Sequence, residues 1–141
     1  MVFISESVPE GISAHRIKTV RGRYDFAVDG GAIGTIALVG DVAIPSGVTI
    51  MGGFLNVDVP LASLGLATVA LQANAAADVL GATAFDNAVF SSAGVKSINP
   101  GFTGATMIRT TAARDISAVV GGANLTAGKF DVFLFYIDPV A

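Results

Sequence analysis

A chain of 141 residues, 52% hydrophobic and only 13% charged, with a formal net charge of -3, is long enough for one packed core and too short for two. It has no cysteine, which excludes disulfides, thiolate metal ligands and thiol nucleophiles, and its acidic balance argues against a nucleic-acid partner held by phosphate neutralisation. With a mean hydropathy of +0.70 and so few charges, the chain cannot cover itself with polar surface, so part of its apolar surface is expected to meet protein rather than water.

The N-terminal segment, residues 1 to about 13, carries Pro9, Gly11 and three serines without a sustained period and reads as an arm, expected to dock on a neighbouring subunit. It lacks a basic region followed by an apolar one, so no secretory signal is expected and the chain is expected to start at its Met. Four of the eight basic residues, Arg16, Lys18, Arg21 and Arg23, then fall close together. From His15 to Val20 the side chains alternate as in a strand at a sheet edge or interface, and Tyr24, Phe26 and Val28 continue that alternation. Residues 1–23 are therefore read as an arm with a basic edge segment, and 24–141 as the folded domain.

Asp29-Gly30-Gly31 supplies turn chemistry, followed by a strand from Ile33 to Val39. Gly40-Asp41 and Ile44-Pro45-Ser46-Gly47 are further turns. Val48 to Val59 is the longest strand expected, with Gly52-Gly53 marking a bulge or bend inside it. Leu66 to Gln72 alternates cleanly as a strand. Ala75-Ala76-Ala77-Asp78-Val79-Leu80 contains good helix formers after Asn74 and reads as a helical turn stopped at Gly81. The stretch from Asp86 to Thr106 is loop-rich, with one short strand near Val95 to Ile98. Met107–Thr110, Asp115–Val120 and Lys129–Ile137 complete the strands. In the last of these Phe130, Val132, Leu134 and Tyr136 face one way and Phe133, Phe135 and Ile137 the other, so both faces are apolar and the second is expected to be covered by another chain. Short strands punctuated by Gly, Pro, Asn and Asp read as an all-β, antiparallel β-sandwich of jelly-roll-like form with an extended N-terminal arm. The uncharged run from Val59 to Ala77 is interrupted by Pro60, Ser63, Gln72 and Asn74, so no membrane span is expected.

Chemistry-bearing motifs are absent. The single histidine, His15, stands in the basic segment without a matched carboxylate or nucleophile, and Gly30-Gly31-Ala32-Ile33-Gly34 has neither the Lys of a phosphate loop nor the dinucleotide pattern. Asp29, Asp41, Asp86 and Asp138 sit in or beside turns, where Asp bonds its own backbone. Asn124-Leu125-Thr126 matches a glycosylation sequon without a secretion signal to give it weight. No catalytic residue, cofactor or metal is expected. With no Trp and two Tyr, a stacking platform for sugars or bases is unsupported; a glycan-binding attachment module would have to use loop residues such as Asp86, Asn87, Asn99 and Phe102.

Four pieces of this chain, taken together, resemble small structural proteins of tailed bacteriophages: Gly31-Ala32-Ile33-Gly34-Thr35-Ile36, the turn Ile44-Pro45-Ser46-Gly47, the strand Ala67-Thr68-Val69-Ala70-Leu71, and the closing Leu125-Thr126-Ala127-Gly128-Lys129-Phe130-Asp131-Val132-Phe133. The resemblance spans roughly residues 24 to 137. It implies a virion component, including capsid decoration or cement proteins with jelly-roll-like domains on the outer shell, often trimeric, and it carries over no catalytic residue.

The resulting expectation is a non-enzymatic cement protein on the outer capsid surface. Its partners would be the major capsid protein and itself, as a homotrimer, with neither nucleic acid nor membrane. Phe3, Ile4, His15, Arg16, Lys18, Arg21 and Arg23 are expected to touch the capsid, and Phe133, Phe135 and Ile137 to serve self-association. A tail, neck or fibre protein of the same fold is the alternative from the same class, and the glycan module is the alternative from another.

Overall fold

A computed structural model describes residues 15–38, 40 and 42–139; the expected arm, with Phe3 and Ile4, lies outside the described residues. The described chain runs β1 (Lys18–Asp25), α1 (Phe26–Asp29), β2 (Gly34–Ala37), β3 (Thr49–Ser63), β4 (Thr68–Gln72), β5 (Leu80–Ala84), α2 (Ala88–Ser91), β6 (Gly94–Lys96), β7 (Ile108–Arg109), β8 (Ser117–Gly121) and β9 (Leu125–Ile137). One sheet has the order β1-β9-β3-β6, with the short β7 added on β3, and the other has the order β2-β8-β4-β5. All pairings are antiparallel.

Leaving β7 aside, the pairs nest: β1 with β9, β2 with β8, β3 with β6, and β4 with β5. The chain is one long hairpin wrapped into two facing sheets, the jelly-roll-like sandwich that the strand spacing predicts. Period-2 alternation fills the space between the sheets. Leu55 and Val57 from β3 and Phe130, Val132 and Leu134 from β9 meet Val69, Leu71, Ala118 and Val120 from the opposite sheet, all of them buried. Three rings anchor this core. Phe130 lies 5.1 Å from Tyr24 and 5.7 Å from Phe90, centroid to centroid.

The expected irregularity at the paired glycines is present as a register shift between Ile50 and Gly52, and β3 remains within one sheet along its whole length. The Ile44–Gly47 turn is fastened by Thr110. Its buried hydroxyl donates to the Pro45 carbonyl at 2.7 Å and accepts from the Val48 N–H at 3.1 Å.

Three local expectations are corrected. Phe26 and Val28 do not continue β1, because residues 26–29 form a single helical turn: the Asp25 side chain caps it by accepting from Ala27 N at 3.0 Å, and Gly30 ends it with φ of 73°, a left-handed conformation that glycine adopts without penalty. The helical turn expected over Ala75–Leu80 does not form. The Asp78 carboxylate instead accepts from the backbone N–H groups of Ala73, Asn74 and Ala75 at 2.8, 3.0 and 2.8 Å, folding a tight turn that releases Leu80 into β5; three charge-assisted bonds outweigh the modest propensity of the alanines. The last strand starts earlier than expected, at Leu125 rather than Lys129, so that only residues 122–124 connect it to β8.

Candidate functional site

The outer face of the larger sheet is built by alternation on three neighbouring strands. On β1, Val20, Gly22 and Tyr24 point into the core, which sends Thr19, Arg21 and Arg23 outward. Register sets Thr19 opposite Phe135, Arg21 opposite Phe133 and Arg23 opposite Asp131 on β9. On the far side of β9, Phe54 of β3 stands opposite Phe133 and Gly52 opposite Phe135.

The result is an aromatic row across the sheet. Phe54 and Phe133 stack at 4.9 Å with a 21° interplanar angle, and Phe54 and Phe135 meet tilted at 6.0 Å. Gly52 leaves the room that lets Phe102 lean in from its loop: a Cβ at Gly52 would lie 3.6 Å from the Phe102 ring and 3.7 Å from that of Phe135. Phe102 remains 73% exposed, and Val95, opposite Asn56 on β6, is 71% exposed. Large apolar side chains this open, beside half-buried rings, form the kind of patch that marks a protein contact.

Charge borders the row on the β1 side. Arg23 pairs with the buried Asp131 at 3.6 Å, and Lys129 with Asp25 at 3.8 Å. Arg21 differs. Its Nε is buried without a hydrogen-bond partner among the described residues, and Asp131 Oδ1, 3.6 Å from Arg23, is the other such atom on this face. Shutting a guanidinium N–H away from water without an acceptor costs about 1–3 kcal/mol or more, so the position is costly in the isolated chain and would be relieved if the side chain swung out to an acceptor on another protein. Behind this strand Tyr24 is a fixed structural donor, its hydroxyl giving a 2.7 Å bond to the Gly30 carbonyl. Burial, then the nearby charges of Asp29 and Asp25, push its pKa up to about 12. A groove of about 300 Å³ lined by Arg23, Asp25, Val28 and Asp29 opens beside it.

The structure thus brings together two sets of residues that sequence reasoning assigned to different partners. Arg21 and Arg23, expected to touch the capsid, share one face with Phe133 and Phe135, expected to serve self-association. His15, Arg16 and Lys18 are exposed at the entry to β1, and Ile137 is half-buried opposite Thr49. Phe54, Val95, Phe102 and Asp131 were missed as members of this face, because only strand register reveals them. Of the loop set considered for glycans, Phe102 belongs to the aromatic row, and the Asn87 side chain is committed to capping α2 through Val89 N at 3.0 Å. Among the described residues no three His, Cys, Asp or Glu converge as a metal site, and no helix is long and apolar enough to cross a membrane.

No protein-family model and no curated protein matches the chain. Solved structures do. A chain in the capsid asymmetric unit of cyanophage Pam1 superposes with a TM-score of 0.63 at 17% identity, covering 94% of this chain and 92% of that one. A chain in the acidic stable capsid structure of Helicobacter pylori bacteriophage KHP30 gives a TM-score of 0.60 at 17% identity, with 89% and 90% covered. What is shared at this identity is the fold, end to end and at nearly equal length.

Proposed function

We propose that this chain is a non-enzymatic structural protein of a phage virion, a decoration or cement protein that binds the outside of the capsid through the outer face of the β1-β9-β3-β6 sheet. The observation that carries the reading is the buried, unpartnered Nε of Arg21 beside the aromatic row. Apolar rings supply contact area, and the guanidinium supplies a directional, charge-assisted bond to a carboxylate or carbonyl of the major capsid protein. The likeness in fold and length to chains in two phage capsids supports the same reading.

The mechanism is mass action. A subunit that contacts neighbouring capsid proteins only in the assembled shell lowers the free energy of that shell relative to its separated parts. In this reading the segment ahead of Lys18, including Phe3, Ile4, His15 and Arg16, reaches the capsid alongside β1, and copies of the chain associate with one another, as a trimer, on the outer surface. Phe133 and Phe135 then belong to the capsid contact together with Arg21, since one face cannot serve two partners at once.

Binding of the purified protein to shells stripped of it tests this. Arg21→Met keeps the aliphatic stem and removes the buried charge, so the variant is expected to melt at the wild-type temperature or above it while its shell affinity falls on the order of 30-fold or more. Shell binding equal to that of the wild type would overturn the reading.

A further inference from the structure

Two sheets have four edges, and among the described residues three of them are guarded. β1 carries Lys18, Arg21 and Arg23 and is bridged at Gly22 by Gly40. Across the larger sheet, β6 and β7 carry Lys96 and Arg109, and the part of β3 that runs past β6 carries Asp58 and Pro60. β5, at one edge of the smaller sheet, has a register shift against β4, and the carbonyls flanking it, Val79 and Ala84, accept from Asn99 N and Asn87 N. Charge, proline, bulges and covering segments are the devices that keep a sheet edge from pairing with further copies of the same chain. β2, the fourth edge, has none of them: Gly34-Thr35-Ile36-Ala37 is uncharged and holds an unshifted ladder with β8.

Register identifies the groups that β2 leaves open. Leu38 N donates to the Ile116 carbonyl at 2.8 Å, and the ladder continues with Ile36 opposite Ala118 and Gly34 opposite Val120. In an antiparallel pair, residues that exchange bonds alternate with residues that do not, so the N–H and C=O of Thr35 and Ala37 point away from β8. No described residue bonds them, and both residues are exposed. The row ends at Ile33, whose N–H is taken by Asn124 Oδ1 at 3.1 Å.

We infer that β2 pairs with β2 of a second copy, edge to edge and antiparallel about a two-fold axis at Ile36. Outward donors and acceptors on alternate residues fit an extended strand with the same spacing, and β2 presents that spacing to its own copy. Centred on Ile36, Thr35 of each copy stands opposite Ala37 of the other, and each such pair exchanges two N–H···O=C bonds. The side chains brought together are small and uncharged, so no like charges are opposed. What selects a copy over a foreign strand is the guarding of the other edges, since that guarding acts against copies of the chain. One bare edge per molecule also closes the association at a pair, where two would propagate a fibre. The contact is separate from the three-fold association proposed on the shell and does not rest on capsid docking.

Sedimentation equilibrium of the full chain from micromolar to several hundred micromolar, with residue-resolved amide hydrogen exchange at both ends of that range, is the test. The wild type is expected to associate as it is concentrated, and exchange at the Thr35 and Ala37 amides to slow at least about tenfold with it, while the Ile36 amide, already bonded to β8, is protected throughout. Thr35→Lys puts a guarding charge on the bare edge and is expected to weaken association at least about tenfold. Thr35 is exposed, so that variant is expected to keep the wild-type melting temperature, and Arg21→Met is expected to associate as the wild type does. A wild type that stays monomeric, Thr35 and Ala37 amides that exchange equally fast at both concentrations, or a Thr35→Lys variant that associates as tightly as the wild type would each overturn the inference.

Discussion

Replacing Phe130 with alanine is expected to remove about 3–5 kcal/mol of folding stability, a large share of the 5–15 kcal/mol typical of a domain. Phe130 is 1% exposed and is the ring that joins Tyr24 on β1 to Phe90 on α2. Its strand pairs with both β1 and β3, so the cavity would open at the centre of the sandwich, where three elements fixed by separate hydrogen-bond ladders cannot all collapse into it. The comparison that gives this number meaning is Phe135→Ala on the same strand and the opposite face. Phe135 is only half-buried and packs on the outer row, so its loss is expected to lower stability by about 1 kcal/mol and to act instead on docking. Urea unfolding of the two variants separates them; equal losses would mean that the outer row is part of the core and not a free face.

Gly122→Ala is expected to be the more damaging of two substitutions at positive-φ glycines, with a loss on the order of 3 kcal/mol. Gly122 and Gly30 both have positive φ, 76° and 73°, so an alanine backbone is strained at either position. Their surroundings differ. A Cβ at Gly30 meets nothing within 4 Å, whereas a Cβ at Gly122 would collide with the Leu66 carbonyl oxygen. Gly122→Ala therefore adds to its backbone strain a collision between the 122–124 turn and the Leu66 backbone, which Gly30→Ala is spared. Thermal unfolding of both variants gives the difference directly, and equal destabilisation would show that the Leu66 backbone yields to the added methyl.

The sandwich was legible because its signal is repeated. Alternation recurs in Leu66–Gln72, Asp115–Val120 and Lys129–Ile137, and turn residues punctuate the chain at short intervals, so the all-β class stood on many concordant segments. Local exceptions were less legible where one side chain overrides propensity. Asp78 gathers three backbone N–H groups and converts an alanine-rich stretch from helix to turn. The Asp25 cap and Gly30 around α1 were visible as residues, yet the run of alternation before them outweighed the signal. The docking face was half legible: the basic strand and the outward phenylalanines of β9 could each be read from period-2 spacing. That they form one surface could not, because the pairing of Arg21 with Phe133 and of Phe133 with Phe54 is set by register between segments far apart in sequence.

A cement role requires the outer face of the larger sheet to be turned toward a capsid. A reconstruction of the virion at side-chain resolution measures this directly. The expected result is this sandwich on the outer shell, with Phe54, Phe133 and Phe135 covered by the major capsid protein and an oxygen of that protein within hydrogen-bond distance of Arg21 Nε. A chain found on the tail, or on the shell with Arg21 and the aromatic row open to solvent, would contradict it.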